Sequence, residues 1–217
     1  MQRLIAWGML AGACALAGCV SAPPAASPRA TPQLRLAPAL LGRSLNLQQH
    51  LTLQAPGHDQ QLDVLLEADA THVQMGVVAL GQVAARLSWD GVTLDESKAP
   101  WWPQAVSGAR ILSDLQLTLW PVAAIQAALP AGWRLVEDGD VRTLTQGGEV
   151  VAVVTRLCGP AAPSPALPAD SSFCAKSRDP RVPAPLIELD QRRHHFKLRI
   201  ESRDLGDAPG TRPSTSP

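Results

Sequence analysis

Cys19 is the residue of this chain with the most specific chemical setting. It ends the run Leu16-Ala17-Gly18-Cys19, in which small residues precede a thiol, the side chain whose thiolate acts as a nucleophile. Upstream lie a positively charged start and an apolar run over residues 4–16, which is shorter than the roughly 20 residues of a membrane-spanning helix. A charged start, a short apolar run and small residues before a cleavage point are typical of a secretory signal peptide. The sequence therefore predicts a signal peptide over residues 1–18.

The run that ends at Cys19 resembles the bacterial lipobox. The resemblance implies cleavage before Cys19, a diacylglyceryl group on its thiol and an N-acyl chain on the new amino terminus. Two or more acyl chains anchor a protein stably, whereas one does not. By the sorting rule of enterobacterial lipoproteins, Val20 in place of Asp predicts the outer membrane of a Gram-negative bacterium, on its periplasmic face. The alternatives are an ordinary signal peptide with a chance cysteine, or a buried N-terminal helix.

Two further cysteines, Cys158 and Cys174, remain in the exported chain, whereas Cys14 would be removed with the signal. In an exported protein such a pair favours a disulfide. A disulfide that closes a loop of roughly 15 residues restricts the unfolded chain, and the chain-entropy model predicts a stabilisation of about 3 kcal/mol. Two free thiols are the alternative. No histidine lies at zinc-motif spacing from either cysteine, so we expect no metal site.

Motifs for catalysis and for nucleotide binding are missing from the sequence. It has no Gly-x-Ser-x-Gly elbow, no His-Glu-x-x-His, no P-loop and no Gly-x-Gly-x-x-Gly, and its five histidines are scattered. The formal net charge is 0, and no basic stripe indicates a nucleic-acid partner. We therefore expect neither an enzyme nor a nucleic-acid-binding protein, and no cofactor beyond the covalent lipid on Cys19.

Segments rich in proline, alanine and serine divide the chain. Residues 19–33 are predicted to form a spacer behind the lipid, residues 158–185 a surface loop that carries the disulfide, and residues 206–217 a disordered tail. Between them, residues 34–205 are long enough for one domain.

Most of that domain has the alternation and the turn signals of short strands. Asp90-Gly91 predicts a tight hairpin, and Asp138-Gly139 with Gly147-Gly148 predicts a meander of three strands. On the last strand, His194, Phe196, Leu198 and Ile200 are expected on one face. The strands are predicted at residues 50–54, 61–67, 72–79, 82–89, 92–95, 133–137, 141–145, 150–157, 186–189 and 194–201.

One stretch has a helical pattern instead. Apolar residues from Val106 to Leu129 recur at spacings of three and four. Because Pro121 cannot lie inside a helix, we expect two helices, one that ends near Trp120 and one with Pro121 in its first turn. The alternation over residues 115–119 leaves a strand as the alternative.

The order of these elements resembles that of the LolB-like outer-membrane lipoproteins. The stretch that carries the resemblance is ARILSDLQLTLWPVAAIQAALPAGW, residues 109–133, and the resemblance covers residues 47–204. The nearest relatives would be uncharacterised lipoproteins, a domain-of-unknown-function family often encoded beside aryl-polyene and fatty-acid-synthase-like clusters. The resemblance implies a mainly β fold, in which a curved antiparallel sheet forms an unclosed LolA/LolB-like barrel covered by a central helix pair.

An apolar cavity that accepts acyl chains is the functional implication of this resemblance. The protein would bind acyl chains or lipidated cargo without catalysis, receive them from a periplasmic LolA-like carrier, and deliver them to the outer membrane. The alternative is a structural or assembly lipoprotein with a filled core and a protein partner. Candidates for contact with acyl chains are Val77, Leu87, Ile111, Leu112, Leu115, Leu119, Val122 and Ile125.

Leu80 is the candidate for insertion into the membrane. Ala79-Leu80-Gly81 resembles the Pro-Leu-Gly hairpin tip of LolB-type factors, whose leucine protrudes and helps lipoproteins into the membrane. The alternative is a leucine at the end of a strand that folds back into the core.

Overall fold

The structure, a computed structural model, describes residues 31–103, 106–157 and 186–206. The predictions for Cys19, for Cys158 and Cys174, for the signal peptide and for nearly all of the spacer, the disulfide loop and the tail lie outside these residues.

Within the described residues, ten antiparallel strands form one curved, unclosed sheet. Their spatial order is β5-β4-β3-β2-β1-β10-β9-β8-β7-β6, so the first and the last of these strands pair at the centre of the sheet. The mainly β fold with a helical cover is thereby confirmed. The strands are β1 (Leu45–Ala55), β2 (His58–Ala68), β3 (Val73–Ala79), β4 (Gln82–Trp89), β5 (Leu94–Lys98), β6 (Trp133–Asp138), β7 (Val141–Gln146), β8 (Glu149–Leu157), β9 (Leu186–Gln191) and β10 (Phe196–Asp204).

The concave face of the sheet carries the apolar side chains. In β3, for example, Val73, Met75, Val77 and Ala79 are buried, while the residues between them are more exposed. This alternation follows from the two-residue period of a strand, which points successive side chains to opposite faces. The apolar face must be covered by other elements, and two helices provide part of that cover.

The helices are α1 (Gly108–Leu119) and α2 (Val122–Ala128). Ser107 caps α1, because its hydroxyl accepts a hydrogen bond from the backbone N–H of Arg110 at 3.3 Å. Pro121 precedes the first helical residue of α2, where its missing N–H costs no helical hydrogen bond. The predicted pair of helices is confirmed, and the strand alternative for residues 115–119 is wrong. None of the helices in the described part of the chain is long and apolar enough to cross a membrane.

Three local predictions are wrong in detail. Asp90-Gly91 is not a two-residue hairpin, because the Asp90 carboxylate accepts the N–H groups of Val92 (2.7 Å) and Thr93 (2.6 Å), and β5 begins only at Leu94. This Asx-type bonding holds a longer connection. The turn between β6 and β7 uses residues 139 and 140, since Asp138 still pairs with Val141.

His194 is the third correction. It lies in a 3-10 turn, Arg192–His194, rather than on the last strand. His195 follows with φ of 55°, a left-handed conformation that redirects the chain before β10 begins at Phe196. Phe196, Leu198 and Ile200 do share one face of β10, as their alternating register shows.

Candidate functional site

The eight predicted acyl-contact residues lie in one hydrophobic core or pack against it. Two belong to the sheet and the other six to the helices. Whether these residues contact an acyl chain stays a prediction. Val77, Leu87, Leu112, Leu115 and Ile125 are buried, and Ile111, Leu119 and Val122 are half-buried.

A glycine sets the close approach of α1 to the sheet. A Cβ atom on Gly108 would lie 2.8 Å from Leu87 Cδ2 and 2.9 Å from Glu96 Cδ. The backbone N–H of Gly108 also donates to Glu96 Oε1 at 2.8 Å. The first turn of α1 is thus positioned against β4 and β5 by a contact that leaves no room for a side chain.

Another segment covers the core beside α1, and we call Thr31–Leu41 the strap. Its first seven residues have no regular secondary structure, and it ends in a 3-10 turn over Pro38–Leu41. Leu34, Leu36 and Leu41 are only 4–5% exposed and belong to the same core as the predicted acyl-contact residues. The sequence pattern predicts no element for this segment, and its first three residues fall within the predicted spacer.

Gln116 of α1 holds the strap through both ends of its amide. Its Oε1 accepts the N–H of Leu36 and its Nε2 donates to the carbonyl of the same residue, each at 2.9 Å. Gln116 is fully buried, so these bonds satisfy a polar group that burial would otherwise penalise. Ser113 Oγ accepts the N–H of Leu34 at 3.0 Å. Trp89 Nε1 donates to the carbonyl of Leu36 at 2.8 Å.

A second buried polar cluster joins the start of α1 to β9. Asp114 accepts hydrogen bonds from Arg110 Nε at 2.9 Å and from Gln191 Nε2 at 2.6 Å. Burial raises the pKa of the Asp114 carboxyl above its ordinary value, although Arg110 and Gln191 act in the opposite direction. Arg110 Nη1 lies 2.7 Å from His194 Nε2, and Thr31 Oγ1 lies 2.9 Å from the same nitrogen.

Two polar atoms of this cluster have no hydrogen-bond partner within the described residues: Gln191 Oε1 and Arg110 Nη2. Burial, followed by the neighbouring charges of Arg110 and Arg193, lowers the pKa of His194. The cluster therefore links the first residue of the strap, the first helix and the turn before β10 through polar contacts.

A third cluster fixes the other end of α1. Arg142 of β7 is 5% exposed and donates to the carbonyls of Leu117 at 3.0 Å and Trp120 at 2.7 Å. Its Nε also pairs with Glu137, to which Arg156 Nη1 donates at 3.0 Å. Desolvation lowers the pKa of Arg142, and that of Arg156 to about 10. A guanidinium beneath the C-terminal carbonyls of a helix satisfies acceptors that have no helical partner.

Leu80 lies at the tip of the β3–β4 hairpin. It forms a two-residue turn with Gly81, between the paired residues Ala79 and Gln82. Leu80 is 89% exposed, so its side chain stands in solvent and not in the core. Its φ of 53° is the left-handed conformation that L side chains disfavour by about 1 kcal/mol or more. A leucine here is unfavourable both in its backbone conformation and in its exposure to water.

The hairpin that carries Leu80 shares its end of the sheet with several other turns. Because neighbouring strands are antiparallel, the turns at residues 56–57, 80–81, 147–148 and 192–195 lie at the same end, which we call the hairpin end. The strap begins there as well, since Thr31 contacts His194.

An open cleft of about 470 Å³ at this end is lined by Pro56, Arg192, His195 and Lys197, among others. The hairpin end thus combines an exposed leucine with basic side chains.

Within residues 31–103, 106–157 and 186–206, no three histidine, cysteine or acidic side chains lie close enough together to hold a metal ion. The polar clusters described above instead bind backbone carbonyls, amides and each other. The candidate site is therefore the apolar interior between the sheet and α1, together with the exposed tip at Leu80.

These features define a class of protein: an open antiparallel sheet whose concave, apolar face is covered by a short pair of helices. The chain belongs to the family described as "Protein of unknown function (DUF3261)", whose profile matches residues 46–204. The expectation of an uncharacterised family is thereby confirmed. No curated protein matches the chain. The matched range contains the whole sheet except its first residue, and it leaves out the strap.

Proposed function

We propose that this protein is a lipoprotein anchored through Cys19 to the periplasmic face of the outer membrane. It binds acyl chains or lipidated cargo without catalysis and passes them to the membrane. The resemblance to LolB-like lipoproteins supports the proposal for the whole chain. Among the described residues, the observation that carries it is the exposed, left-handed Leu80 at the hairpin end.

Leu80 supports a contact outside the folded chain, because at this position it does not pack in the core and its backbone conformation is unfavourable for leucine. Gly or Asn adopts the left-handed conformation more easily than Leu, and a polar side chain would suit the exposure. Val83, on the following strand, is also 43% exposed. A bilayer would bury both apolar side chains, at roughly 25 cal/mol for each Å² removed from water. Arg192 and Lys197, which line the open cleft at the same end of the sheet together with Asp190, would meet anionic headgroups.

The interior supplies the second half of the proposal. The predicted acyl-contact residues form an apolar layer between α1 and the sheet. An acyl chain that enters this layer gains roughly 0.8 kcal/mol for each CH₂ group buried. A membrane offers the chain a larger apolar environment, so cargo would leave the interior when the hairpin end reaches the bilayer.

The role of Leu80 is tested with the full lipidated chain and a matched pair of variants. Leu80→Asn changes the tip at the hairpin end, and Val92→Asn changes an 83% exposed valine in the β4–β5 connection at the opposite end. We expect Leu80→Asn to lower the transfer of a lipidated cargo into liposomes severalfold, and Val92→Asn to leave it unchanged. Equal transfer by both variants and the unmodified protein would remove Leu80 from the account.

The anchor is tested separately, because it concerns residues before the described domain. Cys19→Ser should block processing of the signal and release the chain from the outer-membrane fraction. Cells that process and fractionate the variant like the unmodified protein would contradict the anchoring by a lipid on Cys19.

A second candidate function is a structural or assembly lipoprotein with a filled core. The specific observation in its favour is the strap, because Leu34 and Leu36 occupy the interior that cargo would use. A scaffold of this kind takes up no acyl chain in any variant and is recognised instead by a protein partner.

A further inference from the structure

We infer that the strap is a displaceable occupant of the acyl site: an acyl chain binds along α1 by replacing Leu34 and Leu36, and Gln116 holds the strap in place while the site is empty. This inference rests on the proposed function, since it concerns the regulation of the same site.

The strap is bound in a manner that differs from every strand of the sheet. Strands pair through continuous backbone ladders, for example eleven residue pairs between β1 and β2. The strap belongs to none of these ladders. Side chains hold its backbone instead. Ser113 bonds the backbone of Leu34. Gln116 and Trp89 bond the backbone of Leu36. Trp120 Nε1 adds a longer bond of 3.3 Å to the carbonyl of Ala37. Its release therefore breaks a few side-chain bonds and leaves the sheet intact.

The buried side chains of the strap offer the core an aliphatic surface, as an acyl chain would. Leu34 and Leu36 are each 5% exposed, and the residue between them, Arg35, is exposed. The strap thus lays a line of aliphatic carbon along α1, next to the core that contains Leu112 and Leu115. An acyl chain can replace aliphatic side chains without loss of buried apolar area, because hydrophobic burial depends on area and not on direction.

The place of the strap in the chain makes such an exchange possible. It lies between the predicted spacer and β1, ahead of the residues that the family profile matches. Its first residue, Thr31, contacts His194 at the hairpin end, the end that carries Leu80. Release of the strap from Thr31 onward lengthens the spacer. It also opens the interior at the hairpin end, which faces the membrane in the proposed function.

Replacement of the strap by an acyl chain costs free energy at Gln116. Its amide bonds both the N–H and the carbonyl of Leu36, so loss of the strap leaves a fully buried amide without these two partners. The acyl chain must overcome that cost, which lowers its apparent affinity. Removal of the Gln116 amide should therefore favour the acyl chain over the strap.

The experiment uses the full chain in lipid nanodiscs and a photoactivatable diazirine palmitate as the probe. The label incorporated into α1 is measured in the unmodified protein, in Gln116→Ala and in Gln49→Ala. Gln49 is the matched control, because it is also a buried glutamine, 4% exposed, but bonds Ser202 on the sheet at 3.0 Å. At limiting probe we expect about tenfold more label in Gln116→Ala, since a lost hydrogen bond corresponds to roughly that factor, and no gain in Gln49→Ala.

Hydrogen exchange of the unmodified protein decides the question without any variant, which matters if Gln116→Ala does not fold. The probe should accelerate exchange of the Leu34 and Leu36 amides and leave the amide of Leu66, a residue of β2 with a paired strand on each side, protected. Labelling of α1 with the strap amides still protected, and with no gain in a folded Gln116→Ala, would overturn the strap inference and leave the proposed function standing. Absence of label from the unmodified protein and from a folded Gln116→Ala would overturn the proposed function, and the inference with it.

Discussion

Gln116 and Leu36 are joined by two hydrogen bonds, each 2.9 Å long, that bind both polar groups of one backbone residue to one side-chain amide. This pair fastens a segment from the start of the domain to its first helix. A fully buried glutamine on the apolar face of a helix is costly unless its amide is satisfied, and the strap provides that satisfaction.

Gln116→Leu should lower the free energy of unfolding by about 2 kcal/mol. The leucine fills a similar volume but leaves the Leu36 N–H without its acceptor, a loss larger than that of an exposed hydrogen bond. Urea unfolding followed by tryptophan fluorescence measures the change. Gln54→Leu, an exposed position on β1, serves as the control and should shift the free energy by less than about 0.5 kcal/mol.

The contact between α1 and the sheet leads to a prediction about glycines. Gly108→Ala should destabilise the protein by about 1 kcal/mol, because its Cβ would lie 2.8 Å from Leu87 Cδ2 and would displace a buried side chain. Gly76→Ala in β3 meets nothing within 4 Å and should be neutral or slightly stabilising. Thermal unfolding of the two variants compares them directly. Equal melting temperatures would show that α1 packs less closely than described.

Asp114 gives stability a specific dependence on pH. Burial raises its folded-state pKa above the unfolded value of 3.8, so the folded chain keeps the proton to a higher pH than the unfolded chain does. Its contribution to stability is therefore present below pH 3.8 and is lost as the pH rises through the raised pKa. Asp114→Asn removes this titration, and Gln191 can turn its unpartnered Oε1 to the new amide.

The stability of Asp114→Asn relative to the unmodified protein should accordingly be greater at pH 7 than at pH 4. Urea unfolding at four pH values between these limits measures the difference. Burial lowers the pKa of His194, so its contribution to stability is lost as the pH falls through that lowered pKa. The loss occurs in both proteins and therefore cancels in the comparison. Two parallel profiles would contradict the raised pKa of Asp114.

Arg142 provides a prediction about the end of α1. Arg142→Met should cost about 3 kcal/mol, since it removes the donor to the carbonyls of Leu117 and Trp120 and leaves buried acceptors without their partner. Arg134→Met, at an exposed position of β6, should have little effect. Denaturant unfolding of both variants makes the comparison, and similar values would mean that the buried guanidinium does not hold α1.

Local patterns in the sequence predicted the parts of the fold that short-range physics determines. Alternation and turn signals predicted each of the ten strands in the described residues, and Pro121 divided the helical stretch at the correct place. Gly147-Gly148 was recognised as a hairpin turn because its conformation needs glycine. Boundaries failed where a side chain decided them, as the Asp90 carboxylate did when it extended the β4–β5 connection.

The strap and the buried polar clusters could not be predicted in this way. Leu34 and Leu36 alternate over too few residues to give a periodic signal, and prolines flank them. Their burial depends on Gln116, about 80 residues away in the chain. One signal of the strap was the placement of polar Ser113 and Gln116 on the inward face of an apolar helix, since a buried polar residue needs a partner. Arg142 gave a similar signal, a charged residue at an inward position of a strand.

Native mass spectrometry of the full chain, released in mild detergent from the membranes of a Gram-negative host, tests acyl binding itself. We expect a population with additional mass that corresponds to a noncovalent fatty acid or phospholipid, lost on collisional activation, beside the covalent lipid on Cys19. A mass that corresponds to the polypeptide and its covalent lipid alone, with no uptake when fatty acid is titrated in, would contradict acyl binding and favour the scaffold with a filled core.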